Sequence, residues 1–244
     1  MVNKIFMRIK NLISAESYEN KKAELYRIVI EIFIITIGIL IAIYLNNWNN
    51  ERNAKKQELD FLKDFRKSLV SDTLDFNSNI NGCTWWVNEI YKIKKRIEEK
   101  SSRVSDLDFS ASGFQYVYII PSSQGLYEEL KSKGLSNITD ETLRKMIIKY
   151  FEEDMKATHF SESLSEKVRD DIRVYYTKHF DKWFTDNNSP LPLDSNFIMK
   201  DPVFKNLITQ KAGHLFSLRA LNTNLVKQAN LIMERICLVY KICD

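Results

Sequence analysis

Eighteen consecutive positions, Ile28 to Leu45 (IVIEIFIITIGILIAIYL), carry one charged residue, Glu31, and this run constrains what the chain can become. As a helix it covers roughly 27 Å, and with Tyr26 and Trp48 at its flanks it reaches bilayer thickness. Tyr26, Tyr44 and Trp48 are aromatic anchors of the kind found at membrane interfaces, and Asn46–Asn50 marks the exit into water. The sequence therefore predicts a transmembrane helix over residues 26–48. The run starts too late and is too long for a cleaved signal peptide, so an uncleaved anchor is expected.

Polarity is not spread evenly around this helix. Glu31, Ile35, Gly38, Ala42, Leu45 and Asn49 recur at alternating spacings of four and three, which places them on one stripe. Gly38 and Ala42 form a small-xxx-small pair that allows close helix approach, while the opposite side is rich in Ile. A carboxylate inside hydrocarbon costs about 2.5–3.5 kcal/mol, so Glu31 is expected to face a partner or water. The plainer alternative is that Glu31, one turn into the run, snorkels and is favoured by the helix N-terminal dipole. The stripe points to a homo-oligomer, and to a water-filled pore if copies enclose one.

Residues 1–25 are expected to lie on the membrane surface. Val2, Ile5, Phe6, Ile9, Leu12 and Ile13 group on one side of a short helix, with Lys4, Arg8, Lys10 and Asn11 opposite. Basic residues exceed acidic ones on both sides of the span, as anionic lipid headgroups favour, which makes membrane lipid the first expected partner. The charge count does not orient the helix. Arg8, Lys10, Lys21, Lys22 and Arg27 precede it, Arg52, Lys55, Lys56, Lys63 and Arg66 follow it, and the positive-inside rule ties.

Residues 49–244 are expected to form a soluble helical domain, and the fold class is all-α. Just 6 Gly and 4 Pro in 244 residues disfavour tight-turned sheets. Past Asn50 nothing stops the helix: Leu59, Leu62, Phe65, Leu69, Phe76, Ile80 and Cys83 continue the three–four rhythm. A long helix therefore continues from the span, through Gly82 if the rhythm of Trp86, Ile90, Ile93 and Ile97 holds. Residues 100–113 are expected to be a loop and FQYVYII (114–120) an extended linker. A helix starting at Pro121-Ser122-Ser123 should end at Gly134. Thr139 is the expected cap of a helix running to about Trp183, 186–195 a loop, and Pro202 to Ile242 the last helix. The three cysteines (83, 237 and 243) read as buried free thiols.

Enzyme signatures are lacking: there is no H-E-x-x-H, P-loop, G-x-S-x-G or CxxC, and the three histidines have no metal-ligand spacing. Neither catalysis nor a cofactor is expected. Two basic-aromatic stretches have the composition of a surface for an anionic polymer, in which cations pair with phosphates beside stacking rings. One contains Trp85, Lys92, Lys95 and Arg96. The other contains Arg169, Arg173, Tyr175, Tyr176, Lys178, His179, Lys182 and Trp183. Asp170, Asp171 and Asp181 interrupt the second, and aromatics at helical spacing more often fill a core.

EIFIITIGILIAIYLNNWNNER (31–52) and LYEELKSKGLSNITDETLRKMIIKYFE (126–152) together resemble a family of small bacterial single-pass membrane proteins known as a domain of unknown function, DUF6090. That resemblance implies a membrane anchor carrying a helical domain, and no activity. The layout is also similar to that of the transmembrane effectors of Hailong antiphage defence systems. This second resemblance implies a tetrameric ion channel in the bacterial inner membrane with a cytoplasmic domain. Such an effector is held inactive by short single-stranded DNA from a partner nucleotidyltransferase. No ligand motif carries over, so the basic-aromatic stretches stand as candidate contacts. The expectation is an oligomeric membrane effector, a gated pore in antiviral defence regulated on its helical domain. The alternative is a non-conducting anchor, a scaffold or envelope assembly factor.

Overall fold

A computed structural model describes residues 18–99, 123–181 and 190–243, and they are helical almost throughout. In order the elements are α1 Tyr18–Glu98, α2 Ser123–Lys133, a 3-10 turn Leu135–Asn137, α3 Glu141–Lys149, a π-helical stretch Tyr150–Met155, α4 Lys156–His179, β1 Phe180–Asp181, β2 Leu191–Pro192, α5 Ser195–Lys200 and α6 Pro202–Tyr240. The all-α class and the long N-terminal helix are as expected. Residues 1–17 of the expected interfacial segment, the loop 100–113, the linker 114–120 and the Pro121-Ser122 start lie outside the described residues, as do Lys182 and Trp183.

The chain divides into two compact units, Met1–Gln57 and Glu58–Asp244. In the first, α1 carries a helix long and apolar enough to cross a membrane, and 6% of its most apolar window is buried. A core helix of a soluble domain would be mostly covered. The Thr36 hydroxyl donates to the Ile32 carbonyl at 2.7 Å, so it does not enter an apolar environment unpaired.

The second unit is organised by two helices of matched pattern. On α1, Glu58, Leu62, Phe65, Leu69, Asp72, Phe76, Asn79 and Cys83 are buried, alternating steps of four and three. On α6 the same steps join Phe204, Ile208, Lys211, Leu215, Leu218, Asn222, Leu225, Ala229, Ile232 and Ile236, all buried. Leu62, Phe65 and Leu69 share a core with Ile232 and Ile236, whereas Ile90, Ile93 and Ile97 share one with Phe204 and Ile208. The two helices are therefore antiparallel. Where the two cores meet, the buried Asn79 amide donates to the Asn222 side-chain carbonyl at 3.4 Å, and Asn222 donates to the Leu218 carbonyl at 2.7 Å.

α4 adds Val168, Ile172 and Tyr176 to one core. α2, α3 and the π stretch add Tyr127, Leu143, Ile147, Tyr150 and Phe151 to the other. The π stretch lets the adjacent Tyr150 and Phe151 both turn inward, with Phe151 stacked on Tyr127 at 4.2 Å. Gly134 ends α2 with φ 99°, a conformation a side chain would strain. At the start of α6, Pro202 sits in the first turn and the Asp201 carboxylate accepts from Val203 N at 3.0 Å.

Three local expectations are corrected. Asp140, not Thr139, caps α3, accepting from Leu143 N at 2.6 Å; the Thr139 hydroxyl is taken by Glu58. The expected loop 186–195 contains residues that pair: Phe180 and Asp181 face Pro192 and Leu191, and Asp194 caps α5. Cys237 and Cys243 are a disulfide rather than free thiols. In an unbroken helix the two would point apart, but α6 ends at Tyr240 and Lys241 reverses the chain at φ 59°. Cys83 is free and fully buried.

The asparagine pair sets a prediction. Asn79→Ala leaves a buried amide short of a partner and should cost about 1–3 kcal/mol. Replacing both asparagines with Leu should leave the protein at least as stable, because a buried polar pair gains register at the expense of stability. Denaturant unfolding of the detergent-solubilised protein followed by circular dichroism measures both.

Candidate functional site

In the membrane-compatible part of α1, Glu31 and Ile35 are half-buried while Gly38, Ala42, Leu45 and Asn49 are exposed. Arg27, Ile30, Glu31, Ile34 and Ile35 line a shallow depression. A methyl group built on the Gly38 Cα would meet nothing within 4 Å, as at the helical Gly125 and Gly213 of the bundle. Gly in a helix interior costs about 1 kcal/mol relative to Ala, and none of the described residues packs into that space.

The bundle sorts the candidate ligand residues into two groups. On α1, Trp85 is half exposed and its ring meets the edge of Trp86 at 4.0 Å. Trp85, Asn88, Glu89, Tyr91, Lys92 and Lys95 line an open depression, with Arg96 exposed one residue on. Lys92 pairs with Glu89 at 2.6 Å and Lys95 with Glu99 at 3.7 Å. Both pairs are exposed and weak, so a phosphate could replace the carboxylates.

Among the described residues of the second stretch, both tyrosines lie in the core. Tyr175 and Tyr176 are 7% and 1% exposed. Tyr175 donates its hydroxyl to Asp201, and Tyr176 stacks on Phe180 at 4.1 Å. Burial pushes the Tyr176 hydroxyl well above its ordinary value. These tyrosines complete the Val168–Ile172 stripe and are unavailable for stacking on a base, which corrects their candidacy. Arg169 pairs with Glu166 at 3.1 Å and Arg173 with Asp170 at 3.5 Å, while Lys178 is exposed.

Two polar clusters were not foreseen. At the start of the bundle Glu58, 4% exposed, accepts from Thr139 N at 2.7 Å, from the Thr139 hydroxyl at 2.9 Å and from the Tyr240 hydroxyl. Beside it Asp140 holds Arg235 through two bonds of 3.1 and 2.6 Å, and this guanidinium keeps the carboxyl below its usual range. Three segments far apart in sequence are thus joined through polar atoms, which hydrophobic periodicity does not report. The second cluster surrounds Lys211, 1% exposed, whose ammonium donates to Ser165 Oγ at 2.8 Å and to the Ser165 carbonyl at 3.3 Å. Burial pushes Lys211 down to about 8 against the attraction of Glu162. Among the described residues no group of His, Cys, Asp and Glu could hold a metal.

No family model matches the chain, and neither a curated protein nor a solved structure does.

Lys211 gives a pH signature. Its folded value, about 8, lies below the ordinary 10.5. Between these values the unfolded chain holds more protons than the folded one, so this group's contribution to stability rises with pH. The slope reaches at most about 1.4 kcal/mol per pH unit. Lys211→Met should flatten the rise between pH 8 and 10 without lowering stability at pH 7. Thermal melts across that range measure it.

Proposed function

We propose that this protein is an oligomeric membrane effector that forms a gated pore, with its helical bundle receiving the ligand or partner that sets the gate. The observation that carries the reading is the stripe itself: Gly38 and Ala42, exposed and four apart on the apolar part of α1, in line with Glu31 and Asn49. Small residues at this spacing let a second copy of α1 approach closely. Polar groups on the same stripe gain a partner or a water-filled interior that lipid would not provide. Gating follows if a ligand prefers one arrangement of the bundle over another.

The surface that suits such a ligand is Trp85 with Lys92, Lys95 and Arg96. An exposed ring beside replaceable cations fits an anionic chain carrying bases, such as a short single-stranded oligodeoxynucleotide. With Tyr175 and Tyr176 in the core, this is the smaller half of the surface composition first suggested. The bundle then faces the cytoplasm and the span lies in a bacterial inner membrane.

A second reading is favoured by the disulfide. Such bonds persist in oxidising compartments, which suits an extracytoplasmic bundle on a non-conducting anchor. A periplasm-dependent phosphatase and GFP, each fused to Asp244, separate the two. Phosphatase activity without fluorescence would eliminate the nucleotide-regulated effector.

Gly38→Leu should abolish or shrink the oligomer measured by mass photometry in detergent, since four added carbons hold helix backbones apart. An unchanged mass would remove the stripe from the interface and the pore with it.

A further inference from the structure

We infer that Cys237 and Cys243 are a thiol–disulfide exchange site whose oxidised form fastens the end of α6 onto the first turns of the bundle. In a continuous helix residues six apart lie about 9 Å apart along the axis. Here the left-handed Lys241 turns the chain back, and the two Cα atoms are 4.6 Å apart. The returning segment then meets α1. The Arg66 guanidinium donates to the Cys243 carbonyl, and the Tyr240 hydroxyl donates to Glu58. These contacts join residues 177 and 182 positions apart, so each must be held against a large loss of chain entropy. Tyr240 belongs to α6 and is positioned by it. Cys243 lies beyond the helix and is held to it by the Cys237 sulfur.

The pair is also open to exchange. Cys243 is exposed and Cys237 half-exposed. Cys83, the remaining cysteine, is fully buried, and burial pushes its thiol up to about 12, so it cannot compete. In reduction, a thiolate of an incoming dithiol attacks Cys243 Sγ, a new S–S bond forms, and the bond to Cys237 breaks. The Cys237 sulfur leaves with the electron pair and takes a proton. The second thiol of the reductant then resolves the mixed disulfide and frees Cys243, which is also protonated. The pair gains two electrons and two protons, and the dithiol becomes a disulfide. Oxidation by glutathione disulfide or a dithiol–disulfide oxidoreductase runs the same steps backwards. The site does not depend on whether α1 conducts.

The test uses the full-length protein in detergent, oxidised with glutathione disulfide or reduced with a phosphine. Iodoacetamide should label no thiol in the oxidised folded protein and two in the reduced one, with Cys83 reacting after denaturation alone. Hydrogen exchange in peptides covering 58–66 and 236–243 should be on the order of tenfold faster in the reduced protein. Cys243→Ser should match the reduced form. Arg66→Gln, oxidised, should speed exchange over 58–66 while still showing no labelled thiol, which separates the fastening from the bond. Should Cys243→Ser fail to fold, reduction of the unaltered protein decides. Two labelled thiols after oxidation, or equal exchange in both redox forms, would overturn the inference.

Discussion

The bundle depends on one constraint: two helices of nearly forty residues, α1 beyond Glu58 and α6, must meet antiparallel in a single register. Apolar side chains alone do not fix that register, because Leu, Ile and Phe pack almost equally well one heptad along. The Asn79–Asn222 pair does. A slip would break this bond and leave the Asn222 side-chain carbonyl facing hydrocarbon, which costs more than the hydrophobic contact regained. Lys211 and Asp72 add to the same discrimination, since Lys211 finds Ser165 and Asp72 finds the backbone N–H of Ser123 in this arrangement. With the register set, α4 completes one core and α2, α3 and the π stretch complete the other.

Polar chemistry also closes the ends of this pairing. Asp201 caps α6 and accepts the Tyr175 hydroxyl, tying α4 to that end. At the other end Glu58, Thr139, Tyr240, Asp140 and Arg235 interlock. The cores are apolar, and the specificity lies in the few polar atoms that interrupt or bound them.

How much of this was legible follows from which force writes it. Burial is periodic, so Leu62, Phe65 and Leu69 announced their helix, and the span announced itself through length and composition. Pro202 and Gly134 marked boundaries because backbone conformation limits the residue type. Other features are set by distant partners. Thr139 and Asp140 are both favourable caps in isolation; Glu58, some eighty positions earlier, takes the threonine and leaves the aspartate. Tyr175 and Tyr176 carry the composition of a binding face, yet two adjacent residues on a helix can both turn inward when a third element covers them, as Phe204 and Phe180 do here. The cysteine pair was hidden by a single left-handed residue. On the candidate site, the stripe was readable as a pattern, whereas the empty space beside Gly38 needed coordinates.

The π-helical stretch between α3 and α4 has a consequence for how this chain can vary. Such a turn holds one residue more than an α-helix of the same rise, and the surplus here lets Tyr150 and Phe151 share the inner face. Upstream and downstream stripes stay in phase because the extra residue is absorbed between them. The segment 150–155 is therefore a length buffer. A relative shorter by one residue there could revert to plain α-helix and keep every flanking contact, while the same deletion midway between Glu58 and Glu98 of α1, or midway along α6, would rotate half of a core into solvent.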